Sequence, residues 1–263
     1  MRFNRLFALP LALSAAASFA AACIELTLVR GDGNLETESR DHVDFDRVAI
    51  GSFADSLIVE GDDYGVDITC DENLLPYFET RVEDGTLHVE HPIDVLLQTD
   101  QSCGVQVTLP VASQLVNAGS GRMSADTALM GLTDVVNAGS GGVVLAGAHQ
   151  DAALALSNTG SGDLVIDDVQ ANSVGLQNTG SGDVTLRGAT DVLVIENTGS
   201  GSVDTTGLEA VDVDVTVTGS GDVDLHAGNS VEGAVTGSGS LSVAGEPADR
   251  DVVVSGSGDV VYR

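Results

Sequence analysis

The chain has 263 residues and a formal net charge of −30, and all 10 of its basic residues are arginine. Nucleic acid and anionic membranes are held by Lys and Arg neutralising phosphates, so such a surface excludes both as direct partners. Aromatic residues are 3% with no Trp while Gly reaches 32 residues, which excludes a core of large side chains and fits many short strands joined by tight turns. The acidity itself has two readings, solubility in a salty medium or a surface that collects divalent cations.

In chain order, residues 1–22 read as a secretory signal: Arg2 and Arg5, an apolar run from Leu6 to Phe19, then Ala20, Ala21 and Ala22. Cys23 follows directly, as in the lipobox of bacterial lipoproteins, where that cysteine is acylated and becomes the new N-terminus. Two alternatives remain at this stage. Ordinary signal peptidase cutting at the same boundary would free the protein, and an uncleaved Leu6–Ile24 segment is nearly long enough to span a bilayer. Residues 23–41 carry Gly31, Gly33 and several charges without a sustained period, and are expected to form a lipidated tether. With Cys23 acylated, Cys70 and Cys103 are left as an even pair in an oxidising compartment. Bonded, they would add roughly 3–4 kcal/mol in the chain-entropy model. Two unpaired buried thiols are the other reading.

Residues 42–111 are β-rich without a repeat. Strands are expected at Arg47–Gly51, Ser56–Glu60, Gly65–Thr69, Gly85–Glu90 and Gly104–Leu109, with a short helical turn within Asp71–Phe78. His88 and His91 form a His-x-x-His on one of these strands. That spacing places them on opposite faces, against a shared metal.

From residue 112 to 263 a Gly-Ser-Gly triplet returns eight times, starting at Gly119, Gly139, Gly160, Gly180, Gly199, Gly219, Gly237 and Gly256. Residues alternate apolar and polar on both sides of each triplet: Leu164 and Ile166 after one, Val174 and Leu176 before the next. A spacing of about twenty residues with strand-like sequence between copies is the signature of a solenoid in which each repeat is one coil. The expected fold is all-β: a parallel, right-handed β-helix of about eight coils, spanning roughly 38 Å at the ~4.8 Å spacing of stacked strands. A β-propeller needs about forty residues per blade and is disfavoured.

Aligned on the triplets, the polar residues form columns. Asn117, Asn137, Asn158, Asn178 and Asn197 lie two positions before a triplet, on the inward parity, and Val217, Val235 and Val254 replace them later. Interchange with Val marks a buried structural ladder, in which each amide must find partners. The triplet Ser, from Ser120 to Ser257, is expected to bond local backbone at a turn. Asp163 and Asp183 follow triplets on adjacent coils. They are either ordinary turn residues or, ~5 Å apart, a site where a cation such as calcium relieves their repulsion. No catalytic residue or other cofactor is indicated.

The phrases Phe45–Ile50, Ser56–Gly61, Cys70–Leu75, Arg81–Val89 and Val105–Pro110, followed by the serial Gly-Ser-Gly triplets, resemble the GIN-domain family of autotransporter adhesin heads over roughly Asp46–Arg263. That resemblance implies a secreted or envelope-attached right-handed β-helix and supplies no catalytic residues.

The expectation is therefore a non-enzymatic, lipid-anchored envelope protein whose faces serve adhesion or bind a protein or glycan. It is exported, as an outer-membrane lipoprotein or else to the periplasm or exterior. One alternative is a polysaccharide-acting β-helix enzyme, with Asp163 and Asp183 as first suspects and Arg122 and Arg187 available to offset their charge. The other is a self-assembling spacer that forms homo-oligomers through the last strand, Asp259–Arg263.

Overall fold

A computed structural model describes residues 27–263; the signal segment and Cys23 lie outside the described residues. Among the described residues no helix is long and apolar enough to cross a membrane. The chain forms a parallel β-solenoid of about seven turns, with a non-repetitive region at its N-terminal end. Eight triplet corners thus delimit about seven complete turns.

Each coil has one strand after its triplet and one before the next. In the middle coils the two run together as one long strand, such as Leu164–Asn178 or Val203–Val217. Equivalent residues stack in parallel register: Leu164 on Val184 and Leu176 on Ile195, then Val203 on Val223. Burial alternates along the strands of the stacked coils from Gln114 to Ala244, so the Val, Leu and Ile of both faces meet in one thin continuous core. The long strands turn where the alternation slips, as between Ile166 and Val169, where an extra residue makes a bulge. This defines a second corner, opposite the Gly-Ser-Gly one.

The triplet corner explains its own composition. A Cβ built on Gly160 would lie 2.0 Å from the carbonyl oxygen of Gly139, and one on Gly180 would lie 2.0 Å from that of Gly160. The second glycine of each triplet is equally closed, since a Cβ on Gly141 would stand 1.9 Å from the oxygen of Gly121. The corner backbones rest directly on one another, and no side chain fits between. The N–H groups of Ser140 and Ser161 donate to the oxygens of Gly119 and Gly139 at 3.1 Å, while the Ser side chains stand exposed. Backbone groups join one corner to the next.

The solenoid begins before the repeat is legible. Arg47–Gly51 already stacks in register under Gln114–Asn117, and Ser56 and Leu57 stack under Met123 and Ser124. Ser52 and Ala54 occupy the corner there, and their oxygens face Gly119 and Gly121. Residues 61–111 form an insertion that caps the first coil. Gly104–Leu109 adds beside Asp55–Glu60, and Gly65–Asp71 pairs antiparallel to it; Thr86–Glu90 adds beside Arg47–Gly51 and is covered by the hairpin partner Glu79–Glu83. The hairpin turn is Asp84-Gly85, with φ of 48° and 76°, the left-handed pair that a two-residue turn requires. A short helical turn, Leu75–Tyr77, falls where expected.

Residues 23–41 do not form a tether as far as they are described. Thr27–Arg30 pairs in parallel with Val95–Gln98 as a separate ribbon, and Leu35–Ser39 pairs antiparallel with residues 67–71 as an edge strand. Leu35–Ser39 buries nothing, so it leaves no hydrophobic period in the sequence. Backbone pairing and the Thr37–Thr69 hydroxyl contact at 2.7 Å hold it instead. The intervening turn is anchored by Asp71, fully buried, whose carboxylate accepts from the Gly33 N–H and the Thr99 hydroxyl.

At the other end, Arg250 stands in the column of inward Val231, and its guanidinium lies 4.6 Å from the centre of the Tyr262 ring. This cation–π pair covers part of the last coil, which the sequence alone left without an evident cap.

Candidate functional site

The Asn ladder is internal, and its one gap is Asn137 Oδ1, which is buried without a partner because Asn117 donates to corner carbonyls instead. All five side chains are fully buried. Asn137 Nδ2 donates to Asn158 Oδ1 at 3.2 Å and to the Gly162 oxygen at 2.9 Å, and Asn158 repeats the pattern onto Asn178 and Gly182. Asn178 bonds Asn197 and Gly201 in the same way, while Asn117 and Asn197 donate to corner carbonyls on their own and the next coil. The ladder therefore fastens each triplet corner to the coil beside it and presents nothing to solvent.

Asp163 and Asp183 lie on adjacent coils beside that corner, and each carboxylate caps a backbone N–H of the next coil. Asp163 Oδ1 accepts from Asp183 N at 2.9 Å, and Asp183 Oδ1 accepts from Ser202 N at 2.8 Å. Asp222 does the same for Ser240. Among the described residues neither Asp163 nor Asp183 joins a group of three or more metal-ligating side chains. Arg187 is paired with Asp167 at 2.6 Å and Arg122 is exposed.

Cys70 and Cys103 are disulfide-bonded, with Cα atoms 4.4 Å apart across the antiparallel pair of the N-terminal cap. Asp71 lies close to both sulfurs, but the bonded sulfurs are not available as metal ligands. On the cap's hairpin, the Arg81 guanidinium holds the Glu90 carboxyl below the usual carboxylate range. His88 Nδ1 lies 3.7 Å from the same carboxyl, whereas the His91 ring packs edge-on against Phe53. The two histidines are not brought together around a common point.

The uniform columns are broken at the second corner. A groove of 1160 Å³ runs there along the solenoid, lined by residues of six successive coils. One wall is the in-register column Met130, His149, Gln170, Ala189 and Glu209, about 19 Å long at ~4.8 Å per coil. Ala189 makes a notch between the longer Gln170 and Glu209. The floor is the column Ala171, Thr190 and Ala210, all buried small side chains. Asn172, Asp191 and Val211, one residue further along each coil, form the opposite wall. Small residues in the floor and bulges in the strands together leave this side of the solenoid concave.

The groove mixes apolar and polar side chains, is acidic, and is partly unsatisfied. Its lining has three carboxylates, Asp151, Asp191 and Glu209, and no arginine. His149 Nε2 and Gln170 Nε2 each lie 2.8 Å from the Asp168 carboxylate, and these contacts, that of Gln170 foremost, hold Asp168 below the usual carboxylate range. At the far end the Ser230 hydroxyl and the Asn229 amide do the same for Asp212. Gln150 Nε2 and His226 Nδ1, on two lining residues, are shielded from solvent without a protein partner. Buried polar atoms of that kind need a ligand or water to complete them. Sequence reasoning missed this site because the columns were aligned on the opposite corner. A shallower trough of 540 Å³ follows the outside of the triplet corner, from Ser52 to Ser161.

A parallel β-solenoid with an internal amide ladder and one grooved edge defines the class of protein. Within that class, residues 44–247 match the family described as "Putative auto-transporter adhesin, head GIN domain", and the chain belongs to it. Among solved structures, the chain is similar to one from Parabacteroides distasonis described as a putative lipid binding protein, with TM-score 0.78 and 24% identity over 89% of this chain and 100% of that one. A putative adhesin from Parabacteroides merdae gives TM-score 0.76 and 20% identity, covering 89% of this chain and 99% of the other. One from Bacteroides fragilis gives 0.71 and 20%, covering 89% and 100%. At these identities the likeness is one of fold. No curated protein matches the chain.

Proposed function

We propose that this is an exported, envelope-attached, adhesin-like protein that binds and does not catalyse, anchored through an acylated Cys23. Its binding site is the second-corner groove, which takes an extended polar chain: a glycan, or a segment of an envelope protein. The observation that carries this reading is the groove itself, a long concavity in an otherwise regular solenoid, with unpartnered polar atoms at Gln150 and His226. The three lining carboxylates favour neutral or cationic chains and disfavour anionic glycans such as polyuronates. Membership of an adhesin-head family and the adhesin descriptions of the similar structures support export and binding. For the polysaccharide-acting alternative, its first suspects Asp163 and Asp183 lie at the opposite corner from the groove, each with one oxygen capping a backbone N–H.

The test is a binding screen of the protein against neutral and charged glycans and envelope fractions, repeated with Ala189→Leu, which fills the notch with little change to the fold. Binding that is present in the parent and lost in Ala189→Leu supports the groove. Equal binding by both places the ligand elsewhere, and consistent absence of any ligand leaves a spacer role.

A further inference from the structure

The segment expected to be a tether is folded, and this changes how the protein meets its membrane. Thr27 is only the fourth residue after Cys23, and four residues of fully extended chain reach at most about 14 Å. From Thr27 the chain enters the ribbon with Val95–Gln98, its N–H bonded to the Asp94 oxygen at 2.9 Å. The ribbon turns Val29 and Leu97 towards the core and leaves Leu28 and Leu96, direct cross-strand partners, 49% and 56% exposed. Ile93, 86% exposed, precedes the ribbon at the end where the chain arrives from Cys23. The exposed apolar side chains are thus concentrated at the anchor end of a ribbon whose far end carries Arg30 and Gln98. Only three residues of sequence, 24–26, separate Cys23 from the ribbon.

We propose that Ile93, Leu28 and Leu96 form a contact face for the lipid surface, so that the capped end of the solenoid rests directly on the bilayer. This inference rests on the reading that Cys23 is acylated, and adds that the folded protein itself touches lipid. The chain length fixes proximity, and the apolar ribbon face supplies side chains that gain by leaving water. The lipid is zwitterionic, because a chain of net charge −30 is repelled by an anionic surface. With the cap seated there, the solenoid projects its coils, and the groove along them, away from the membrane.

The test uses the full chain, exported and in its own membrane, with an environment-sensitive fluorophore on a single new cysteine: Ile93→Cys in one sample, Ser238→Cys at the other end of the solenoid in a second. Cys70 and Cys103 are bonded, and an acylated Cys23 does not react, so the new thiol is the one labelled. The expected result is blue-shifted emission at position 93 and loss of most of its intensity to a quencher carried on lipid headgroups, with little loss at position 238. Protein retained in the membrane with equal, weak quenching at both positions overturns the lipid contact and leaves the anchor standing. Protein absent from the membrane fraction overturns the anchor and the contact with it. Should Ile93→Cys fail to accumulate, Leu96→Cys on the outward ribbon face gives the same reading.

Discussion

The two corners differ in how consistently backbone closes them: the triplet corner at both glycines of every triplet, the second corner only at scattered positions such as Gly188 and Gly245. At the triplet corner backbone lies on backbone, glycine carbonyl under glycine Cα, and the same residues recur from Gly119 to Gly258. At the second corner the strands turn through bulges, and the side chains change from coil to coil: His149, Gln170, Ala189, Glu209. Where backbone fills all the space, substitution is closed; where side chains make the turn, the surface is free to acquire a ligand. Stability and binding are thus assigned to opposite edges of one coil.

The sharpest way to break this contrast is to add one methyl group on each side. Gly160→Ala forces a Cβ to within 2.0 Å of the Gly139 oxygen, and is expected to cost at least about 4 kcal/mol in denaturant unfolding or to abolish soluble protein. Gly228→Ala in the groove lining meets nothing closer than 3.4 Å and is expected to stay within about 0.5 kcal/mol of the parent. Equal effects would mean that the two corners do not differ in kind.

Next in size is the N-terminal cap. Replacing Cys70 and Cys103 by Ser removes a crosslink of sequence separation 33 and is expected to cost roughly 3–4 kcal/mol, read as a lower denaturation midpoint. The ladder follows. Asn158→Val removes the donor to Asn178 Oδ1 and to the Gly182 oxygen, and should cost about 1–3 kcal/mol, although Val is native at the same column position from Val217 onward. A neutral result would show that the amides are not needed to hold the corners.

A test without mutation concerns the folded leader of the cap. Arg30 and Arg40 would be early trypsin sites in a loose tether; within the ribbon and the edge-strand junction they are expected to survive while the solenoid is native. The smallest expected effect is at the groove. Asp168 is held below its ordinary range by Gln170 and His149, so its contribution to stability is present above the unfolded carboxylate pKa and fades as pH falls through the lowered folded value. Asp168→Asn should flatten the acid limb of the stability profile slightly, because the pair is partly exposed and screened by solvent.

The coil, its period and its inward residues were legible because parallel stacking imposes the same demand at the same place: Asn117, Asn137 and Asn158 occupy one column in both sequence and structure. The groove was not legible, for a related reason. Differences in repeat length are taken up at the second corner, where Thr205 to Ala210 in one coil matches Leu225 to Ala227 in the next. An alignment pinned to Gly-Ser-Gly therefore loses register just where the groove lies. The Thr27–Arg30 and Leu35–Ser39 strands escaped notice because their pairing is held by backbone with little burial. The Glu79–Glu83 strand had a usable signal in Asp84-Gly85, which lies between two strand-like runs.

Identical corners resting on identical corners also make the coil an interchangeable part. At the triplet corner, residues 160–179 contact in the next coil what a second copy of themselves would offer, since Asn158 meets Asn178 as Asn178 meets Asn197. Duplicating that stretch would lengthen the rod by ~4.8 Å and extend the groove by one rung, with the new triplet corner meeting partners of the kind it already has. The length of this molecule is an adjustable dimension, set by copy number rather than by redesign.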